Sequence, residues 1–66
     1  MQITLKAARV NAGFTQKEVA NMLKRNPSTI INWESGKTYP TANSLAELCN
    51  IYKLSINDIF LLEQSS

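Results

Sequence analysis

Apolar residues recur at helical spacing along most of the chain, and residues that favour helix ends interrupt them at short intervals. Thr4 can cap a first helix in which Leu5, Ala8 and Ala12 lie on one face, and Gly13 offers an end for it. The pattern therefore predicts a short amphipathic helix at the start of the chain.

The second helix has the strongest start signal. Thr15 and Glu18 have the spacing of a capping box, in which each side chain bonds the other residue's backbone N–H, so the helix should begin at Gln16. Phe14 precedes the cap, in the position of a hydrophobic staple. The expected buried stripe of this helix consists of Val19, Ala20 and Leu23.

A third helix follows after a turn at Lys24-Arg25. Asn26 is a favourable N-cap, Pro27 suits the first helical position, and Gly36 can stop the helix in a left-handed conformation. Helical spacing predicts that this helix buries Ile30, Trp33 and Glu34 and that its other faces carry Ser28, Thr29, Ile31, Asn32 and Ser35. The outward side thus combines small hydrogen-bonding groups with almost no charge.

The second and third helices, residues 16–35, are separated by a very short turn, and the small Ala20 stands where they would cross. This spacing is typical of a helix-turn-helix, a motif that many DNA-binding proteins use. A three-helix bundle with no nucleic-acid role can show the same periodicity. Spacing alone leaves both interpretations open.

The remaining apolar residues predict two more helices. Thr41 can cap a fourth, and Ser55 can cap a short fifth over Ile56–Phe60, with Ile56, Ile59 and Phe60 facing inward. The inner face of the fourth helix should consist of Leu45, Leu48, Cys49 and Tyr52. The fold class expected is all-α, a compact five-helix bundle over residues 1–62 with a polar tail over 63–66.

Composition excludes several classes of protein. A chain of 66 residues, 44% of them hydrophobic, provides one small core. It has no His and a single cysteine, Cys49, so a disulfide within the chain is excluded, and a metal site, a cofactor site or an enzyme's acid–base constellation is not expected. No apolar run is long enough for a membrane span, and no small-molecule ligand is indicated. The cytoplasm is the expected location.

The charge is unevenly distributed. Residues 1–40 hold six basic and two acidic residues, a net charge of +4, whereas residues 41–66 hold one basic and three acidic residues, a net charge of −2. The basic half carries the predicted helix-turn-helix. This asymmetry is compatible with nucleic-acid binding and equally with an ordinary solvated surface.

From Leu5 to Phe60 the sequence resembles the helix-turn-helix DNA-binding domains of the phage repressor and Cro type, the XRE family. The matching residues are Arg9, Phe14-Thr15-Gln16, Val19-Ala20, Ser28-Thr29-Ile30, Trp33-Glu34-x-Gly36-Lys37, Pro40, Leu45, Leu48 and Leu54-Ser55-Ile56-Asn57-Asp58-Ile59. The resemblance implies a five-helix domain that regulates transcription, of the kind found in phage or prophage repressors, with its third helix in the major groove of an operator.

The resemblance also suggests roles for particular residues. Arg9 and Glu34 should form an ion pair that ties the first helix to the third. The expected base-reading residues are Pro27, Ser28, Ile31 and Asn32. Asn32 could pair with adenine, and Pro27 or Ile31 could pack on a thymine methyl group, while Ser28 could equally be only a favourable first-turn residue. The expected phosphate contacts are Thr15, Gln16, Lys17, Arg25, Thr29 and Lys37.

The sequence departs from the family at two points. Lys24 stands where the turn commonly has glycine, so either it adopts a left-handed conformation or the turn differs. Pro27 and Ser28 replace longer amides that often read bases, which leaves the recognised sequence undetermined.

Two further expectations concern partners. Such domains usually bind DNA as dimers, and Phe60, Leu61 and Leu62 are the candidate homodimer contact through the fifth helix and tail. The alternative is that these side chains fold back onto the domain's own core. A second function, of another class, is a protein-interaction or antitoxin-like adaptor that uses the same helix pair, which an exposed Ile31 and the low net charge would suit.

Overall fold

Four α-helices make up most of the part of the chain that the structure describes, which is residues 2–61 without the side chain of Phe60. The structure is a computed structural model. The helices are α1 (Leu5–Ala12), α2 (Gln16–Leu23), α3 (Pro27–Ser35) and α4 (Ala42–Tyr52). A single 3₁₀ turn (Ile56–Asp58) follows α4, and two short strands, β1 (Ile3–Thr4) and β2 (Ile59–Phe60), pair in parallel.

The predicted helix starts are confirmed. The side chain of Thr4 accepts a hydrogen bond from the Ala7 N–H, and both halves of the Thr15–Glu18 capping box are formed. Side-chain oxygens likewise accept backbone N–H bonds at Asn26 and Thr41, before α3 and α4, and at Ser55, before the 3₁₀ turn. Local capping chemistry therefore determines where each helix begins.

Left-handed residues end the helices. Gly36, with φ 80°, ends α3 and directs its N–H back to the carbonyl oxygens of Asn32 and Trp33. Lys24 ends α2 with φ 56°, so the left-handed alternative stated for it is the one the chain adopts. Lys53 does the same after α4. A side chain in this conformation costs roughly 1 kcal/mol relative to glycine.

The core lies where all four helices meet. Val19, Ile30 and Leu48 are its largest fully buried side chains. The other buried apolar residues are Leu5, Ala8, Ala20, Trp33, Cys49, Tyr52 and Ile59. The inner faces predicted for α2, α3 and α4 contribute to this core or pack against it.

The prediction of a fifth helix is wrong. After Ser55 the chain makes one 3₁₀ turn and then extends, with Ile59 in register with Ile3 and Phe60 with Thr4. Ile59 does face inward as expected, but Ile56 is 50% exposed. The capping box of Ser55 is compatible with a helix or a single turn, and pairing with β1 selects the turn.

One other expectation needs correction. Ala12 does not continue the buried face of α1, because it is exposed at the end of the helix. Leu61 is partly buried against the domain's own core, which is the alternative to its proposed role as a dimer contact. Leu62 and the predicted tail, residues 63–66, lie outside the described residues, as does the side chain of Phe60.

Within residues 2–61, no helix has the length and the hydropathy that crossing a membrane requires.

Candidate nucleic-acid interface

The candidate interface is built on α3, which is held mainly by α2. The turn between the two helices is closed by hydrogen bonds from the Lys24 N–H to the Asn21 carbonyl and from the Arg25 N–H to the Ala20 carbonyl, the latter 2.8 Å long. Ala20, Ile30 and Trp33 are buried in the core that the two helices share. Together they place α3 as the exposed second helix of a helix-turn-helix.

An ion pair fixes α3 to α1. Arg9 Nε donates to Glu34 Oε2 at 2.7 Å, and Arg9 Nη2 donates to Glu34 Oε1 at 3.2 Å, so the pairing uses both carboxylate oxygens. The third nitrogen, Nη1, donates to the Phe14 carbonyl at 2.9 Å. Both residues are largely buried, with side chains 11% and 5% exposed. The hydrogen bonding to Glu34 raises the pKa of Arg9, against the opposing effect of burial.

Gln16 extends this pair to the start of α2. Its Nε2 donates to Glu34 Oε1 at 2.9 Å, so one carboxylate links residues from α1, α2 and α3. This contact restricts the side chain of Gln16, which the sequence proposed as a phosphate ligand. A polar group held in place before DNA arrives loses less conformational entropy on binding.

The outward face of α3 carries all four candidate base-reading residues. Pro27 and Ser28 are exposed in the first turn, Ile31 is 46% exposed, and Asn32 is partly exposed. Ser28 also donates its hydroxyl to Asn26 Oδ1 at 3.0 Å, which gives it a local capping role. The face is therefore small, uncharged and accessible near the helix's N-terminus.

The candidate phosphate contacts flank this face but differ in accessibility. Thr15, Lys17 and Lys37 are exposed, Gln16 and Thr29 are partly buried, and Thr15 already uses its hydroxyl in the capping box. Lys37 directly follows Gly36, the left-handed residue that ends α3. Its backbone N–H donates to the Asn32 carbonyl.

Arg25 makes contacts within the domain that the sequence did not indicate. Its guanidinium lies over the Trp33 ring, 5.6 Å from the ring centroid, and its Nη2 donates to Ser44 Oγ at 3.2 Å. Ser44 is buried in α4 and also bonds to Thr41. Arg25 thus links the turn to α3 and α4, and because it lies outside both α2 and α3, no helical spacing in the sequence indicates the contact.

The sequence did not indicate Lys6 as a candidate DNA-contacting residue. A shallow depression of about 220 Å³ opens beside α3, and its lining residues are Lys6, Gln16, Ile31, Glu34 and Ser35. The first of these belongs to α1, whose sequence gives no sign that it approaches the outward face of α3. Within residues 2–61, no group of three or more His, Cys, Asp or Glu side chains could hold a metal ion.

Comparison with known proteins identifies the class. A family model described as "Helix-turn-helix domain" matches residues 3–65, and the chain belongs to this family. The resemblance to helix-turn-helix domains of the phage repressor and Cro type is thereby confirmed.

One curated relative is the HTH-type transcriptional regulator ImmR of Bacillus subtilis (strain 168). It is 39% identical over 51 residues, which cover 77% of this chain. The same match covers 40% of the relative, so the chain corresponds to less than half of that protein's length.

Proposed function

We propose that this domain binds double-stranded DNA in a sequence-specific manner and regulates transcription, with α3 lying in the major groove. The observation that carries the proposal is the outward face of α3. Its exposed first-turn residues, Pro27 and Ser28, lead to Ile31 and Asn32 one turn later, and the helix is held from behind by the Arg9–Glu34 ion pair. In helix-turn-helix proteins it is the N-terminal part of the second helix that contacts base edges.

The chemistry of this face suits direct readout. An asparagine amide can both donate and accept, so Asn32 can bond adenine N7 and N6 as a pair, which distinguishes adenine from other bases in the major groove. Ile31 and Pro27 can exclude water around a thymine methyl group. These four residues carry no charge. Other residues must therefore provide the electrostatic attraction to the DNA phosphates.

We assign the contacts with the DNA phosphate backbone to residues around α3. Lys17, Lys37 and Thr15 are exposed, and Gln16 is held in place by Glu34. Thr29 and Arg25 complete the proposed set, although Arg25 must also serve its contacts with Trp33 and Ser44. Phosphate contacts determine orientation on the duplex and carry no sequence information themselves.

The proposed assembly on DNA is a homodimer on an operator with two-fold symmetry. Half-sites would be separated by about one helical turn, roughly 34–36 Å. Two linked contacts raise a modest single-domain affinity through effective concentration. Because Leu61 packs on the domain's own core, it is a poor candidate for the dimer contact.

The proposed compartment is the cytoplasm. The chain's single cysteine, Cys49, is buried and free, and burial raises the pKa of its thiol. A cysteine with no disulfide partner in the chain is typical of proteins in reducing compartments. A protein-interaction role for the same helix pair has the exposed Ile31 and the low net charge of +2 in its favour.

Selection of duplexes from a random pool tests the proposal. Wild-type protein should enrich one sequence, and Asn32→Ala should lower affinity for it by about 5- to 150-fold, which corresponds to about 1–3 kcal/mol. Asn43→Ala is the matched control, since Asn43 is an exposed asparagine on α4. Failure to enrich any sequence, or equal effects of the two variants, would contradict sequence reading by Asn32.

A further inference from the structure

Lys6 occupies a position that the proposed DNA contacts do not use. It is exposed in the first turn of α1, yet it lines the same shallow depression as Ile31 and Ser35 of α3. Ile31 and Ser35 lie four residues apart and so share one face of the helix. Lys6 is thus beside the outward face of α3, at the end farther from Pro27.

The ammonium group of Lys6 is available. Within residues 2–61, no hydrogen bond or ion pair involves it. The carboxylate that lines the depression belongs to Glu34, and it already accepts hydrogen bonds from Arg9 and Gln16. A solvated lysine on a flexible stem can therefore turn toward a new anion without breaking a contact in the domain.

Helix electrostatics argue against a stabilising role for Lys6. The first turn of α1 contains no acidic residue, and Lys6 places a positive charge near the helix's N-terminus. Because that end of a helix carries a partial positive charge, a cation there is unfavourable. Lys6 therefore gains no stabilisation from the helix dipole, so its charge can be lost without cost to the fold.

We infer that Lys6 contacts a backbone phosphate of the bound duplex, which extends the DNA-binding surface from the helix-turn-helix onto α1. This inference rests on the proposed function. When the first turns of α3 meet the bases, the face around Ser35 points toward the edge of the groove, where the phosphates of the flanking strand lie. Lys6 lines the same depression as Ser35 and as Gln16, which is a proposed phosphate contact.

The test is the salt dependence of binding to a mixed-sequence duplex about two helical turns long. Each phosphate that a cation neutralises contributes about 0.9 to the slope of log affinity against log salt. Lys6→Gln should therefore reduce that slope by about 0.9, lower affinity for all sequences alike, and leave the melting temperature unchanged or slightly higher. Lys6→Arg should retain the wild-type slope.

Lys53→Gln is the matched control. It removes the same charge from another exposed lysine, at the C-cap of α4 and outside the depression. Equal slopes for Lys6→Gln and Lys53→Gln, or a clear loss of thermal stability in Lys6→Gln, would overturn the role of Lys6. In that case wild-type binding would still support the proposed function, whereas a wild-type protein with no affinity for DNA would overturn both.

Discussion

Glu34 accepts hydrogen bonds from Arg9 at both carboxylate oxygens, the shorter 2.7 Å long, and this ion pair joins α1 to the helix that we propose enters DNA. Gln16 bonds to the same carboxylate from the start of α2. Glu34, on the buried side of α3, is therefore the common partner of residues from α1 and α2, and it joins three helices. Its main effect should be on stability.

Replacing Glu34 with alanine should destabilise the fold strongly. The change leaves the largely buried Arg9 guanidinium without its carboxylate, and loss of one partner of a buried pair costs about 3–5 kcal/mol. Urea unfolding would measure the difference, with Glu47→Ala as the control because Glu47 is an exposed carboxylate on α4. Equal unfolding midpoints for the two variants would show that the ion pair contributes little.

Replacing Lys24 with glycine should stabilise the domain. Lys24 has φ 56°, and glycine adopts this conformation without the cost of a Cβ atom, so the free energy of unfolding should rise by about 1 kcal/mol. Lys24→Ala removes the same charge but keeps the Cβ atom, so it should show no such gain. Thermal melts of the two variants would decide, and equal melting temperatures would contradict the strain at this position.

Replacing Arg25 with alanine should lower stability even without DNA. The change removes the stacking of the guanidinium on Trp33 and its hydrogen bond to Ser44. Each contact is worth roughly 0.5–1 kcal/mol at a partly exposed site. Lys17→Ala removes an exposed cation from α2 and is the control. If both variants melt at the same temperature, the contacts of Arg25 do not stabilise the fold.

Alkaline pH should destabilise the domain through Tyr52. Burial, and to a smaller extent the nearby Glu34 carboxylate, raises the pKa of this phenol from 10.0 to about 12. The unfolded chain therefore releases the proton first, so stability is complete below pH 10.0 and falls as pH rises toward about 12.

Tyr52→Phe isolates this effect, because it removes the ionisable hydroxyl and keeps the aromatic ring. The difference in unfolding free energy between wild type and Tyr52→Phe should be constant below pH 10.0 and should shift in favour of the variant above it. Parallel pH profiles of wild type and Tyr52→Phe would mean that the Tyr52 phenol ionises equally easily in the folded and the unfolded protein.

Local signals allowed much of the fold to be predicted. Thr4, Thr15 and Asn26 bond to N–H groups within three residues, so the sequence alone contains both partners. The strand at Ile59 could not be found in the same way, because its partner Ile3 is at the other end of the chain and two-residue strands carry no periodicity. Because Ile59 and Phe60 pair with Ile3 and Thr4, the chain forms a turn and a strand where a fifth helix was predicted.

The candidate site shows the same division. The outward face of α3 follows from helical spacing, which is why Ser28, Ile31 and Asn32 could be selected from the sequence. The position of Lys6 beside that face depends on how α1 crosses α3, and the stacking of Arg25 on Trp33 depends on side-chain placement. Neither leaves a periodic signal in the sequence.

The most direct test of the central claim is a salt titration of wild-type protein with the duplex enriched from a random pool. If α3 lies in the major groove with several cations on the phosphates, log affinity should fall linearly with log salt, with a slope of about −0.9 for each phosphate contacted. Affinity that does not change with salt, or an enriched duplex that binds no better than a mixed sequence, would contradict the claim.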